Sequence, residues 1–131
     1  MAESITPFLM FEGVAEAAMN FYVSLFPGAS IQSIARYGAE GPGKPGTVMT
    51  ATFILNGQAI MCIDSPVKHA FTFTPASSLF VECTDRTEID RLFTALSEGG
   101  KVLMGLDTYP FAQRFAWLDD RFGVSWQLRL R

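Results

Sequence analysis

Alternating apolar and polar positions predict two β-hairpins, one near the end of each half of the chain. Residues 47–64 contain two runs of bulky apolar side chains that flank Asn56-Gly57. That dipeptide favours the tight turn of a two-residue hairpin loop. Residues 115–130 repeat the arrangement around a polar turn with Gly123 near its end. We therefore expect a pair of antiparallel strands to close each half.

Two further segments have apolar side chains spaced three and four residues apart, which is typical of an amphipathic helix. The first stripe comprises Val14, Ala17, Ala18, Phe21, Tyr22 and Leu25, and the second comprises Ile89, Leu92, Phe93 and Leu96. Asp85 followed by Glu88 predicts a capping arrangement at the start of the second helix.

Shorter apolar runs complete a repeated order of strand, helix and three strands. These further strands are predicted at residues 5–11, 29–37, 77–83 and 101–106. The chain is predicted to be a single domain, residues 1–131, with half-units of about residues 4–64 and 76–131. The predicted fold class is α+β, in which duplicated βαβββ units form a curved mixed sheet around a central cavity with the helices outside.

The glycine-rich segment of residues 38–46 separates two of these strands. It contains four Gly and two Pro in nine residues, so it cannot sustain strand pairing. We predict a mobile loop, with a flap that covers a ligand as the alternative.

Composition excludes several classes of protein. Apolar residues make up 49% of the chain and charged residues 18%, as in globular proteins, and a net charge of −3 gives no basic surface for nucleic acid. The apolar runs are too short to span a membrane, and residues 1–4 lack the basic start of a signal peptide. Cys62 and Cys83 are predicted as buried, unpaired thiols in strands, since no paired spacing supports a disulfide or metal site. We expect a cytoplasmic protein.

One motif and several short segments resemble a known superfamily. Residues 120–128 are similar to the closing hairpin of the vicinal oxygen chelate superfamily (glyoxalase, bleomycin-resistance and fosfomycin-resistance proteins), with Asp120, Gly123 and Leu128 matching. Similarity to the PhnB-like branch, often labelled demethylubiquinone 3-methyltransferase domains, is carried by residues 5–11, 20–22, 25–27, 73–76 and 122–127.

The resemblance implies where a divalent metal would be held. Enzymes of the superfamily use inner-face residues of the first and last strands of each half, and these positions fall on Thr6, Met61, Ser78 and Gln127. None of the four carries a negative charge, whereas such metals prefer carboxylate oxygen or imidazole nitrogen. We therefore predict no metal and no cofactor.

Other chemistries find little support in the sequence. His69, the sole histidine, lies on a connector and is predicted at the surface or at the rim of a pocket, although a site with Asp64 or Glu82 stays open. Asp119 and Asp120 are predicted as turn formers. A methyl donor typically needs a glycine-rich turn before a helix, and here the glycine-rich loop precedes a strand.

Strand alternation predicts a mainly apolar inner face with a few polar points, either a pocket or a filled core. Its members are Thr6, Phe8, Met10, Met61, Ser78, Phe80, Glu82, Ser125 and Gln127. Alternation also predicts that Arg129 faces inward. There it would have to form an ion pair with Glu82, because an unpaired buried charge is costly, unless both residues lie at strand ends in water.

The sequence predicts a protein that binds or sequesters a small, largely apolar molecule, with no residue assigned to catalysis. The predicted ligand-binding residues are Thr6, Phe8, Met61, His69, Ser78, Trp117 and Gln127. The alternatives are an enzyme that uses the same residues with His69, Glu82 or a water as proton carrier, and a scaffold whose dimer interface is its purpose. The resemblance implies a homodimer, often with exchanged half-units, and neither nucleic acid nor a membrane is expected as a partner.

Overall fold

The computed structural model describes residues 1–131. The chain forms two compact units, unit 1 from Met1 to His69 and unit 2 from Ala70 to Arg131. Each unit contains one helix and one four-stranded mixed sheet, in the order strand, helix and three strands. The predicted α+β class with a duplicated βαβββ unit is confirmed. The single domain and the central cavity stay predictions.

Unit 1 has the strand order β1-β4-β3-β2, with β1 parallel to β4 and the other pairs antiparallel. The elements are β1 (Phe8–Phe11), α1 (Ala15–Leu25), β2 (Ser30–Arg36), β3 (Val48–Leu55) and β4 (Gln58–Asp64). The β3–β4 turn has φ angles of 47° at Asn56 and 81° at Gly57, as the predicted two-residue hairpin requires.

Unit 2 repeats this topology with the strand order β5-β8-β7-β6 and a parallel β5–β8 pair. The elements are β5 (Leu79–Glu82), α2 (Arg86–Ser97), β6 (Lys101–Tyr109), β7 (Ala112–Asp119) and β8 (Ser125–Leu130). The predicted closing hairpin is therefore the β7–β8 pair, and its turn spans residues 120–124.

The edges of both sheets are short or irregular. Strands β1 and β5 are four residues each, and both are shorter than predicted. Because Pro7 has no N–H to give to a ladder, β1 begins only at Phe8, and Ile5 is 90% exposed. At the opposite edges, the β2–β3 pairing contains two register shifts and the β6–β7 pairing contains three.

The predicted apolar stripe of α1 is partly wrong. The buried residues of this helix are Ala15, Ala18, Met19, Tyr22 and Leu25. Val14 precedes the helix and is 42% exposed, and Ala17 is also exposed. The buried stripe is thus rotated relative to the prediction, because the helix packs Met19 rather than Phe21 fully into the core.

The stripe of α2 is confirmed at Ile89, Leu92 and Leu96, while Phe93 is half-buried. The predicted cap is present: the Asp85 carboxylate accepts a hydrogen bond from the N–H of Glu88 at 2.8 Å. The Glu88 side chain in turn accepts one from the N–H of Thr84 at 2.8 Å. Two of the N–H groups at the start of the helix region are satisfied in this way.

Both cysteines are free and buried, as predicted. Cys62 lies in β4, whereas Cys83 follows β5 directly, so the prediction of a strand position is wrong for Cys83. Burial raises the pKa of each thiol to about 12. Because the thiolate is the reactive form, both groups are chemically inert near neutral pH.

Residues 38–46 form no strand and pack against one aromatic ring. A Cβ atom added to Gly43 would come within 2.5 Å of the Tyr37 ring, so only glycine permits this approach. The Tyr37 hydroxyl donates to the backbone oxygen of Asp64 at 2.9 Å. The loop is thereby anchored to the sheet of unit 1.

Candidate functional site

Side-chain alternation gives the sheet of unit 2 one side that packs on α2 and one side that faces away from it. Arg114 of β7 points to the helix, because its guanidinium donates to the Asp90 carboxylate at 2.9 and 3.1 Å. Phe115, Trp117 and Asp119 therefore point to the opposite side, which we call the helix-free face of unit 2.

Strand register places a row of four side chains across the middle of this face. Phe80 pairs with Gln127, Gln127 with Trp117, and Trp117 with Met104. Phe80 is 49% exposed and the other three are half-buried. The Gln127 amide thus lies between two aromatic rings, and Met104 lies on the other side of Trp117.

A chain of hydrogen bonds connects this row to two serines, and we call it the hydroxyl–amide cluster (Ser78, Trp117, Ser125 and Gln127). The Trp117 indole N–H donates to Ser125 Oγ at 2.9 Å. Ser125 Oγ and Ser78 Oγ are 2.8 Å apart, and Gln127 Nε2 donates to Ser78 Oγ at 3.3 Å. All four groups are neutral, so the cluster offers hydrogen bonds without formal charge.

Glu82 and Arg129 occupy one end of the same face and form an ion pair. The Arg129 guanidinium also lies 5.1 Å from the centre of the Phe80 ring. The hydrogen bond from Arg129 lowers the pKa of the Glu82 carboxyl, and Arg131 adds to the effect. A carboxylate with a lowered pKa is a weak base, so Glu82 is poorly suited as the proton carrier of an enzyme.

We expect Glu82→Gln to lower the melting temperature by at most about 2 °C at pH 7, because exposed ion pairs contribute little. The folded-state pKa is lowered, so the stabilisation is present above the ordinary glutamate pKa of about 4.3. It is lost as the pH falls through the folded-state value. The difference in melting temperature between the wild type and Glu82→Gln should therefore shrink as the pH falls from 7 towards 3. Glu98→Gln, at an exposed glutamate after α2, serves as the control. A difference between the wild type and Glu82→Gln that does not shrink as the pH falls would contradict the ion-pair explanation.

The helix-free face of unit 1 is more apolar. The rings of Tyr22 in α1 and Phe53 in β3 lie 6.1 Å apart, so Phe53 and its partner Ile60 face the helix. Met61 points the other way and pairs in register with Phe8, which is 53% exposed. Thr6 precedes β1 and is half-buried. The face contains Phe8, Met10, Met61 and Ile63, with Thr52 opposite Met61.

His69 lies on the connector after β4 and is held by polar contacts of unit 1. Its Nε2 is 2.8 Å from Ser65 Oγ, and its backbone N–H donates to the Glu12 carboxylate at 3.4 Å. Its place at the rim of a pocket stays a prediction.

The four positions that the superfamily uses for a metal do not fit one in this chain. Thr6 and Met61 lie in unit 1, and Ser78 and Gln127 lie in unit 2 with the Gln127 amide nitrogen already donating to Ser78. No group of three or more His, Cys, Asp or Glu side chains converges anywhere in the structure. A hydroxyl, a thioether and an amide are poor substitutes for the carboxylate and imidazole donors that Mn²⁺ and Zn²⁺ prefer.

A methyl-donor cofactor does not fit the start of α1 either. The β1–α1 turn contains one glycine, Gly13, and its N–H donates to Asp64 Oδ1 at 2.8 Å. The N–H of Ala15 donates to the same oxygen at 2.9 Å. The backbone groups that would bind the anionic part of a cofactor at a helix start are therefore satisfied by the protein itself.

The sequence did not reveal two buried carboxylates that organise the units. Asp64 also accepts from the N–H of Val48 at 2.9 Å. Asp120 accepts from the N–H groups of Phe122 and Val124 at 2.8 and 3.1 Å, and from the Trp126 indole at 2.8 Å. Asp120 is a turn former, as predicted, but it is also 3% exposed and fixes a core tryptophan. The sequence around Asp64 did not indicate this role, because its hydrogen-bond partners lie far away along the chain.

Comparison with known proteins gives a consistent picture. Residues 3–129 match the family described as 3-demethylubiquinone-9 3-methyltransferase. A structure from Bacillus cereus described as a putative 3-demethylubiquinone-9 3-methyltransferase, PhnB protein, is 60% identical, with a TM-score of 0.96 over 98% of this chain and 100% of that one. Protein PA1353 from Pseudomonas aeruginosa is 27% identical, with a TM-score of 0.77 over 99% and 98%.

A more distant structure shares the fold alone. It is a mutant of the fosfomycin resistance protein FosX from Listeria monocytogenes, complexed with Mn(II) and 1S,2S-dihydroxypropylphosphonic acid. It is 10% identical, with a TM-score of 0.65 over 98% of this chain and 93% of that one. No curated protein matches the sequence. Neither helix of the chain has the length and apolar character needed to cross a membrane.

Proposed function

The chain belongs to the 3-demethylubiquinone-9 3-methyltransferase family, the PhnB-like branch of the vicinal oxygen chelate superfamily, and from this premise we propose that it binds a small organic molecule without using a metal. The ligand is held by side chains of the helix-free face of unit 2. The family description names a methyltransferase, but the residues of this chain fit neither a methyl donor at α1 nor a metal at the superfamily positions.

The hydroxyl–amide cluster is the observation that carries this proposal. Neutral hydrogen-bonding groups placed among aromatic and methionine side chains are typical of sites that bind small molecules. Gln127 and Trp117 lie in one row with Phe80, which leaves half of its surface exposed.

The predicted ligand-binding residues take different roles in the proposal. Ser78 and Gln127 supply hydrogen bonds, and Trp117 supplies an aromatic surface. Phe8 and Met61 are proposed separately, as an apolar contact surface of unit 1 in which methionine can adapt to irregular ligands. Thr6 and His69 are proposed to border the apolar side chains of unit 1.

We also propose a homodimer in a reducing, cytoplasmic environment. The exposed Phe8 and Phe80 side chains would leave apolar surface in contact with water in a monomer. Two free thiols support the reducing environment.

Native mass spectrometry of freshly purified protein tests the binding proposal. We expect an organic molecule that is retained by the wild type, with no metal, and whose retention falls at least about tenfold in Trp117→Ala, as expected for the loss of a buried aromatic contact. Phe111→Ala, which removes a 53% exposed aromatic residue of unit 2, serves as the matched control.

Two results would contradict the proposal. Equal retention by Trp117→Ala and Phe111→Ala would place the molecule elsewhere. Stoichiometric Mn, Zn or Ni in the wild type would contradict the proposal that the ligand is bound without a metal.

A further inference from the structure

We propose that the ligand of the hydroxyl–amide cluster is a neutral molecule that carries a hydrogen-bond acceptor and a donor on neighbouring atoms, as a carboxamide or lactam does, next to an apolar ring. This inference rests on the proposed binding function and specifies the chemical class of the ligand. It follows from which hydrogen-bond donors and acceptors of the cluster are already paired within the protein.

The first step concerns Ser125. Ser125 is 1% exposed, and its hydroxyl accepts a hydrogen bond from the indole N–H of Trp117. Its only other hydrogen-bonding neighbour is Ser78 Oγ at 2.8 Å. Asp119 pairs in register with Ser125, but no hydrogen bond joins its carboxylate to the Ser125 hydroxyl, and its buried Oδ1 has no hydrogen-bond partner at all.

The direction of the Ser125–Ser78 hydrogen bond follows from burial. If Ser78 donated to Ser125, the Ser125 proton would be buried without an acceptor, which costs free energy. If Ser125 donates to Ser78, every polar group at Ser125 is satisfied. The second arrangement is therefore favoured, and the proton of the half-buried Ser78 hydroxyl is left to point away from the cluster.

The amide of Gln127 completes the count. Its Nε2 donates to Ser78 Oγ at 3.3 Å, so Ser78 accepts two hydrogen bonds and can only donate to anything further. The Gln127 Oε1 atom, on the other side of the same amide, has no partner within the protein. The cluster thus presents a hydroxyl donor and an amide acceptor within one short stretch of surface.

The surroundings favour a neutral ring system. Phe80 and Trp117 pair with Gln127 from its two sides, so an aromatic or apolar group would lie against their rings. The nearby charges of Glu82 and Arg129 neutralise each other. A ligand with an acceptor facing Ser78 and a donor facing Gln127 would satisfy both remaining groups.

Three probes that share a phenyl ring separate what the acceptor, the donor and the ring each contribute to the affinity. They are benzamide, benzoate and toluene. Benzamide has the acceptor and the donor, benzoate is charged and has no donor, and toluene has neither. Dissociation constants are measured by NMR titration with the full chain, first for the wild type. We expect benzamide to bind more tightly than benzoate.

The variants then test which protein groups are responsible. In Gln127→Met, which keeps the length of the side chain, we expect the ratio of benzamide to toluene affinity to fall about fivefold, as the loss of one neutral hydrogen bond of ordinary net strength predicts. Ser78→Ala should reduce the same ratio and serves as a second test if the methionine variant folds poorly. Gln32→Met, at an exposed position of β2, should leave the ratio unchanged.

The outcomes distinguish this inference from the function on which it rests. If neither benzamide nor toluene binds the wild type, both proposals fail. If both probes bind and Trp117→Ala weakens both, but Gln127→Met and Ser78→Ala leave their ratio unchanged, only the present inference fails. Tighter binding of benzoate than of benzamide would also overturn it, because it would show that the site selects an anion.

Discussion

Asp120→Ala should lower the free energy of unfolding by about 3–5 kcal/mol, because it leaves two backbone N–H groups and the Trp126 indole without their buried acceptor. The turn of the β7–β8 hairpin depends on this carboxylate. Urea or thermal unfolding measures the loss, and the fluorescence of the folded variant should shift to the red if Trp126 becomes hydrated.

The neighbouring residue provides a matched control. The Asp119 carboxylate has an oxygen that is buried without a partner, so Asp119→Ala removes no hydrogen bond to that atom. We expect a change of less than about 1 kcal/mol for this variant. Equal losses for the two substitutions would show that the hydrogen bonds of Asp120 do not determine the stability of the hairpin.

Asp64→Ala should have an effect of similar size, about 3–4 kcal/mol, through a different element. Helix α1 has Val14 at its first boundary position and no local side-chain cap. Asp64, at the end of β4, caps it from outside through Gly13 and Ala15, and it also binds the N–H of Val48 at the start of β3. The carboxylate thus joins a helix and two strands.

Hydrogen exchange separates this explanation from a general loss of stability. The amide protons of the first turn of α1 should lose protection in Asp64→Ala before those of α2, which has its own cap at Asp85. Asp64→Asn keeps one carbonyl oxygen but places an NH₂ group near a backbone donor, so an intermediate loss is expected. Full protection of α1 in both variants would contradict the capping role.

The two helices show how far local pattern predicts packing. In α2, Ile89, Leu92 and Leu96 are separated by polar and charged residues, so the sequence shows clearly which face of the helix is apolar. In α1, three alanines occur near the start of the helix, and Met19 and Phe21 are both apolar. The contrast between its faces is weak, so tertiary packing determines which face is buried.

The sequence predicted which side chains of the candidate site share a face of the sheet, but not the hydrogen bonds between them. Alternation alone placed Gln127 and Ser125 on the same side of β8. Their link to Ser78 depends on the parallel β5–β8 register, which joins residues 47 and 49 positions apart. The same limit applies to Asp64, whose partners are up to 51 positions away. Sequence patterns of short range carry no information on such pairings.

The edges of the two sheets have a consequence for behaviour at high concentration. A long, flat edge strand offers its free N–H and C=O groups to other chains and seeds fibrous aggregates. Here each sheet ends in a four-residue strand on one side and in a strand with an interrupted ladder on the other. Neither edge is a good template for a growing cross-β stack, so the protein should resist fibril formation even where apolar side chains are exposed.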